Sequence, residues 1–429
     1  MQSLRQQLRN LDAEALARTS GFLRRSPRKI PMADFLLVLV ALAAESFLTL
    51  ERVASVIALA SQLSYSKQAL HKRLTPAIER FLAQTATILF GQLPEAQSPR
   101  NGWLRPFGRV LLHDSTVEPL PDHLAKIFPG SRNQRKGFAA LKIQFIADLL
   151  CSQVLHLSLS GFTRNDQAAA PDILEVARPG DLIIRDLGYF VLRAFQWIDE
   201  LGAFFLSRCR TDVNLYDART GQALNLAAEL RRADGFDRQV LLGSQKLRVR
   251  LVALPVPEAV ANERRRKAKQ NRDQRCHPNA QRLFLLGWNI LITNVPKSIW
   301  PAKALVAVYR LRWRIEMIFK SWKSHLGLRQ FHCHSAKVLR LSVMTKLLFC
   351  ALVYRCCQTL ELLCGRGARH VSLQRLARIM AGCACLVEAF LLGITPEQLW
   401  EHFLTQHAFY EQRNDRKNFC EQFAEIAAG

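Results

Sequence analysis

Up to about Arg100 the apolar residues recur at helical spacing, with few strand-like alternations. Thr49-Leu50-Glu51-Arg52 opens one such helix, ending near Ser61, and Ser64 to Gln68 caps a second that runs to Leu74. Two short helices with a tight turn fit a DNA-reading helix-turn-helix and plain bundle packing equally well. The period changes near Gly108. Val110-Leu111-Leu112-His113-Asp114 predicts a buried strand, Leu141 to Ala147 and Val154 to Ser160 predict two more, and Asp181 to Asp186 follows Pro179-Gly180. A helix over Phe190 to Leu201 and a strand over Ala203 to Ser207 come next. From Thr211 to Asn294 short strands dominate, such as Gln239 to Gly243, Leu247 to Leu254 and Leu285 to Ile292, and from Lys303 the pattern is helical again.

Three strands followed by a helix between strands is the order of an RNase H-like mixed α/β sheet, with other α/β orders still open. A chain of 429 residues is long enough for roughly two to four compact units. The most apolar run, Phe35 to Ala44, is too short to span a bilayer, and no signal-peptide succession opens the chain, so a cytoplasmic protein away from the membrane is expected. The eleven cysteines show no disulfide framework. Neither His332-Cys333-His334 nor Cys383-Ala384-Cys385 has the paired spacing of a structural zinc site.

Charge narrows the partner. Sixty Lys and Arg stand against 35 Asp and Glu, a net +25, with a hydrophobic fraction of 49% typical of a folded protein. Such a chain suits a polyanion, nucleic acid above all, because neutralising phosphates releases counterions. Between Glu263 and Arg275 seven positive and two negative side chains fall in a stretch without apolar periodicity. It reads as a solvated loop or as one that touches a DNA backbone.

The chemistry concentrates in Tyr309 to Lys323. On one continuous helix Tyr309, Arg312, Glu316 and Lys323 fall within roughly 60° of one another. Val308, Leu311, Ile315, Ile318, Phe319 and Trp322 fill the adjoining arc, so the polar stripe borders a buried face. An acid among bases there suits phosphate chemistry: carboxylates hold hard divalent ions, and Arg and Lys hold the phosphate. An amphipathic surface helix with ordinary ion pairs would look the same.

The Tyr, Arg, Glu and Lys spacing resembles the Y-R-E-K signature of cut-and-paste bacterial insertion-sequence transposases of the DDE class. Asp114, in Leu112-His113-Asp114-Ser115-Thr116, and Asp186, in Arg185-Asp186-Leu187-Gly188-Tyr189-Phe190, resemble that family's first two catalytic acids. The intervals are 72 and 130 residues, and the long second one implies an insertion. The resemblance covers about residues 105 to 330. It implies an RNase H-like core with a β-rich insertion and helical flanks. Helices over 1–105 would read DNA, 106–210 and 301–344 would form the core, 211–300 the insertion, and 345–429 a helical region suited to dimerisation.

It further implies that Asp114, Asp186 and Glu316 hold two Mg²⁺ or Mn²⁺ ions, and that Tyr309, Arg312 and Lys323 contact phosphates. Trp288 would stack on a flipped base during hairpin formation; a Trp opening an apolar strand is also ordinary core. The expected partners are double-stranded transposon ends and target DNA, bound by a homodimer in the bacterial nucleoid. A non-catalytic DNA-binding derivative and a nuclease of the same fold that never joins strands stay open. Asp122, Asp148 and Asp166 read as turn residues, and Glu118 as a group behind Asp114.

Overall fold

The computed structural model describes residues 11–382 apart from 26–29, 44–47, 62–64, 92–101, 133–136, 151–152, 271–277, 327, 329–330, 332–334 and 364–370. The two Cys and His clusters considered for zinc lie outside the described residues, as does the end of the charge run.

The N-terminal part is helical: α1 (Ala13–Thr19), α2 (Met32–Ala41), α3 (Leu50–Ser61), α4 (Lys67–Arg73) and α5 (Pro76–Phe90). Local chemistry sets their starts. The Asp12 carboxylate accepts from the Ala15 N–H, Thr49 Oγ1 from Arg52 and Ser66 Oγ from Ala69, which satisfies backbone donors the first turn leaves free. Pro76 opens α5, where no N–H is needed. The hairpin of α3 and α4 falls where the pattern placed it, tied by Lys67 to Glu51 at 2.6 Å. The apolar run from Phe35 lies mostly in α2, with Phe35, Leu36, Val38, Leu39 and Val40 buried in the core. Among the described residues no helix is long and apolar enough to cross a membrane.

One ten-stranded sheet organises the rest. Its centre is β1 (Val110–Leu120), antiparallel to β3 (Gly137–Asp148), which is antiparallel to β4 (Gln153–Gly161); β2 (Pro129–Arg132) pairs with the start of β3. After a short helix α6 (Asp166–Ala169), β5 (Leu182–Arg185) runs parallel to β1. Helix α7 (Leu192–Glu200) then returns the chain to β6 (Phe204–Arg208), parallel to β5. The order β4-β3-β1-β5-β6, with these directions, is the RNase H-like sheet expected. β5 is buried along its whole length, as a short apolar run between two packed faces must be.

Pleating assigns alternate residues to opposite faces. Leu112, Ile184 and Leu206 enter the core shared with the N-terminal helices, whereas Leu111, Ile183 and Phe205 enter the core under α7.

The intervening segment holds β7 (Leu215–Asp217), α8 (Leu226–Leu230), β8 (Phe236–Leu242), β9 (Leu247–Pro255), α9 (Glu258–Lys269), α10 (Ala280–Leu285) and β10 (Trp288–Thr293). Its strands do not form a separate sheet. β10 pairs antiparallel with β6, and β9, β8 and β7 follow outward, so the insertion extends the core sheet. Two local expectations fail here. The basic run is a helix up to Lys269 rather than a loop, held by Glu263 to Arg266 and Lys267 and by Glu258 to Arg265. Leu285 ends a helix, and the strand begins only at Trp288.

The chain closes with α11 (Ala302–Tyr309), α12 (Trp313–Ser324), α13 (Ala336–Leu363) and α14 (Leu373–Gly382). The stretch read as one helix over Tyr309 to Lys323 is broken: Arg310–Arg312 form a tighter 3₁₀ turn between α11 and α12. Its apolar arc is buried as expected, from Val308 and Leu311 to Trp322.

Candidate active site

The ladder between β1 and β5 ends at the pair His113 and Arg185. The residue after each is an acid, Asp114 still on β1 and Asp186 just past the end of β5. Asp114 is therefore not at the end of its strand; β1 continues to Leu120 on β3, with Asp114 opposite Phe145. What ends there is the pairing between the two parallel strands, and the place where they part is where a site can open. Glu316 arrives from the other direction, in the first turn of α12.

The three acids meet at Arg312. Its Nη1 donates to Asp114 Oδ2 at 3.1 Å, its Nη2 donates to Glu316 Oε1, and its Nε lies 3.8 Å from Asp186 Oδ1. The Tyr309 hydroxyl donates to Asp186 Oδ1 at 3.2 Å. Burial works against the Arg312 charge, but Asp186, Tyr309, Glu316 and Asp114 together hold the guanidinium above its ordinary pKa.

Burial lifts the Asp114 carboxyl to about 7; Asp186 and Glu316 push the same way, while the Ser115 N–H and Arg312 oppose them. The sign of this shift is testable. The folded value lies above the ordinary 3.8, so the folded protein holds that proton more tightly than the unfolded chain. Asp114's contribution to stability is fully present below about 4 and is lost as pH rises through about 7. Urea midpoints of metal-free protein should therefore fall from pH 5 to 7.5 more steeply in the wild type than in Asp114→Asn. Equal slopes would contradict this.

A second polar layer lies beneath. Arg185 is fully buried, donates to the Ala170 carbonyl and sits 3.2 Å from His113 Nδ1. Burial, then Arg185, keeps His113 well below its ordinary pKa and hence neutral. The Tyr189 ring packs on His113 at 4.1 Å, and its hydroxyl donates to Gln144 Oε1 at 2.6 Å.

Lys323 points to the same side of β1 but is engaged: its ammonium is 2.6 Å from Glu118 Oε1 and donates to the Val117 carbonyl. Glu118, itself buried, thus anchors the lysine. Trp288 touches none of the acids in the contacts seen. It opens β10, half-buried beside Phe284, on the third strand from β1.

Asp122 opens a short 3₁₀ turn, while Asp148 ends β3, its Oδ1 accepting from the Leu150 N–H in the following turn and from the Val110 N–H of β1. Asp166 is different. Its carboxylate accepts from Ser115 Oγ at 2.7 Å and pairs with Lys142 at 2.6 Å, beside Asp114. An acid in a short loop motif gave no signal of a contact 51 residues away.

The donor set suits a hard divalent cation. It offers only carboxylate oxygens, and it already gathers round one positive charge. With Arg312 between them, no three acid, imidazole or thiol groups among the described residues are close enough to share an ion.

The chain is similar to known proteins. The family described as "Transposase DDE domain" matches residues 105–353, which run from before β1 into α13. The transposase for insertion sequence element IS231B of Bacillus thuringiensis subsp. berliner is 29% identical over 334 residues, covering 72% of this chain and 70% of that protein. The transposase for IS1151 of Clostridium perfringens is 26% identical over 286 residues, 62% of this chain and 60% of that one. A cryo-EM structure of the piggyBac transposase synaptic complex with hairpin DNA aligns with a TM-score of 0.43 at 8% identity, over 95% of this chain and 84% of that one. With a family match across more than half of its length, including both parting strands and the helix of Glu316, the chain belongs to the DDE transposases.

Proposed function

We propose that Asp114, Asp186 and Glu316 are the catalytic acids of this transposase and hold two Mg²⁺ or Mn²⁺ ions for cutting and joining double-stranded DNA. The observation behind this is their convergence, from two strand positions and a helix far apart in sequence, on the single guanidinium of Arg312. Such ions, when bound, activate the attacking oxygen and neutralise charge on the leaving one.

The chain's own groups do the rest. Arg312 cannot neutralise three acids and hold a phosphate at once; with cations on the acids its fork would be free to hold a DNA phosphate. Tyr309, whose hydroxyl lies beside Asp186, would donate to a phosphate oxygen, and Lys323 would offer a point charge from beside Glu118. Buried Arg185 holds a positive charge behind the acids and steadies them before loading.

In this reading transposon ends with terminal inverted repeats are cut from the bacterial nucleoid in the cytoplasm. The freed 3′ hydroxyl then attacks target DNA, within a synaptic homodimer. The helices of 1–105 read the ends, 106–210 and 301–344 form the catalytic core around the insertion 211–300, and 345–429 contributes to dimerisation. A hairpin on the transposon end, with Trp288 stacking on a flipped base, completes the cut-and-paste route.

Purified protein should cut DNA carrying the sequences that flank its gene and then join pre-cleaved ends to a target plasmid. Cutting without joining would reduce the protein to a nuclease of this fold; denaturing gels that show only open ends would remove the hairpin step.

A further inference from the structure

Asp166 touches two of the segments that carry the acidic centre, and β3 beside them, yet it is not one of the three acids gathered on Arg312. It opens α6, whose preceding Asn165 caps the helix by accepting from the Ala168 N–H at 2.9 Å, so its position is set locally. One oxygen accepts from the Ser115 hydroxyl at 2.7 Å, one residue past Asp114 on β1. The same oxygen lies 2.6 Å from the Lys142 ammonium on β3, whose side chain is only 4% exposed. The other oxygen faces Gly188, two residues past Asp186: a Cβ on that glycine would sit 2.8 Å from it. The turn that carries Asp186 therefore closes directly on the Asp166 carboxylate. The next residue in that turn, Tyr189, is fastened to β3 through Gln144.

We infer that Asp166 is a positioning residue that locks the Asp114 strand to the Asp186 turn and so sets the spacing of the two acids before cations bind. This rests on the reading of those acids as cation ligands. The chemistry favours it. Lys142 is a buried cation paired with Asp166, and removing one member of a buried pair leaves an uncompensated charge. With the carboxylate gone, Lys142 must find water or another acid, Ser115 loses its acceptor, and space opens beside Gly188. Both acid-bearing segments then gain freedom at once. Groups that orient ligands without touching the ion commonly alter its affinity by about 10–100-fold.

The test uses full-length protein and Mn²⁺ alone, with bound ion read by electron paramagnetic resonance, so that catalysis is not the readout. Asp166→Ala should weaken Mn²⁺ binding by about 10-fold or more. Asp166→Asn, which keeps an acceptor for Ser115 but no charge for Lys142, should fall between it and the wild type. Affinity for end DNA in EDTA should stay within about threefold. If Asp166→Ala does not fold, Ser115→Ala and Gly188→Ala provide the same comparison, since each disturbs one side of the lock, and each should weaken Mn²⁺ binding several-fold. Wild-type Mn²⁺ affinity in the folded Asp166 variants, with Asp114→Ala binding no ion, would overturn the positioning role alone. Asp114→Ala binding Mn²⁺ as the wild type does would instead overturn the ligand reading on which it rests.

Discussion

Asp114→Ala, Asp186→Ala and Glu316→Ala each reduce end cleavage by roughly 10³-fold or more, equivalent to about 4 kcal/mol of transition-state stabilisation. The size follows from the geometry: each acid comes from a different segment, and none has a neighbouring acid on its own segment that reaches Arg312 in its place. The variants remain folded, because Asp186 and Glu316 are each about one-third exposed and none of the three acids fills the core. Binding of end DNA should be kept. Gel-based cleavage assays in Mg²⁺ beside band shifts in EDTA separate the two effects, and any variant that cuts at near wild-type rate excludes its acid from the centre.

Trp322→Ala is expected to lower stability by about 3–5 kcal/mol, the range for emptying a large aromatic site in a packed core. Trp322 is 1% exposed, and its ring meets Phe90 of α5 at 5.5 Å, Phe145 of β3 at 5.2 Å and Phe319 at 5.6 Å. It seats the helix of Glu316 on the strand opposite Asp114, so the loss should appear both in the denaturant midpoint and in cleavage at raised temperature. A change below about 1 kcal/mol would mean that α12 is held by other contacts.

Much of this was legible along the chain, for reasons of distance. The strands around Asp114 and Asp186 declare themselves as short buried runs, and the parallel pairing of β5 with β6 follows from the helix between those two. The basic helix is legible because Tyr309, Arg312, Glu316 and Lys323 lie beside an apolar arc that is indeed buried. The break at Arg310–Arg312 is not, since a 3₁₀ turn keeps nearly the same side-chain spacing. Helix α9 escapes a search for apolar periodicity because ion pairs at its own surface, rather than an apolar stripe, accompany it. The continuation of the core sheet into the insertion depends on β10 finding β6, a pairing such as Thr293 with Leu206 that no local pattern encodes. The role of Asp166 is hidden for the same reason: its partners Ser115, Lys142 and Gly188 are brought to it only by the folded sheet.

The most direct test of a shared centre is to load the protein with Fe²⁺ in place of Mg²⁺, generate hydroxyl radicals with ascorbate and peroxide, and map where the polypeptide breaks. Breaks clustered together at Asp114, Asp186 and Glu316, suppressed by excess Mg²⁺ and lost in any one of the three alanine variants, are the predicted result. Breaks confined to other segments, or unchanged in those variants, would contradict the assignment of these acids to one metal site.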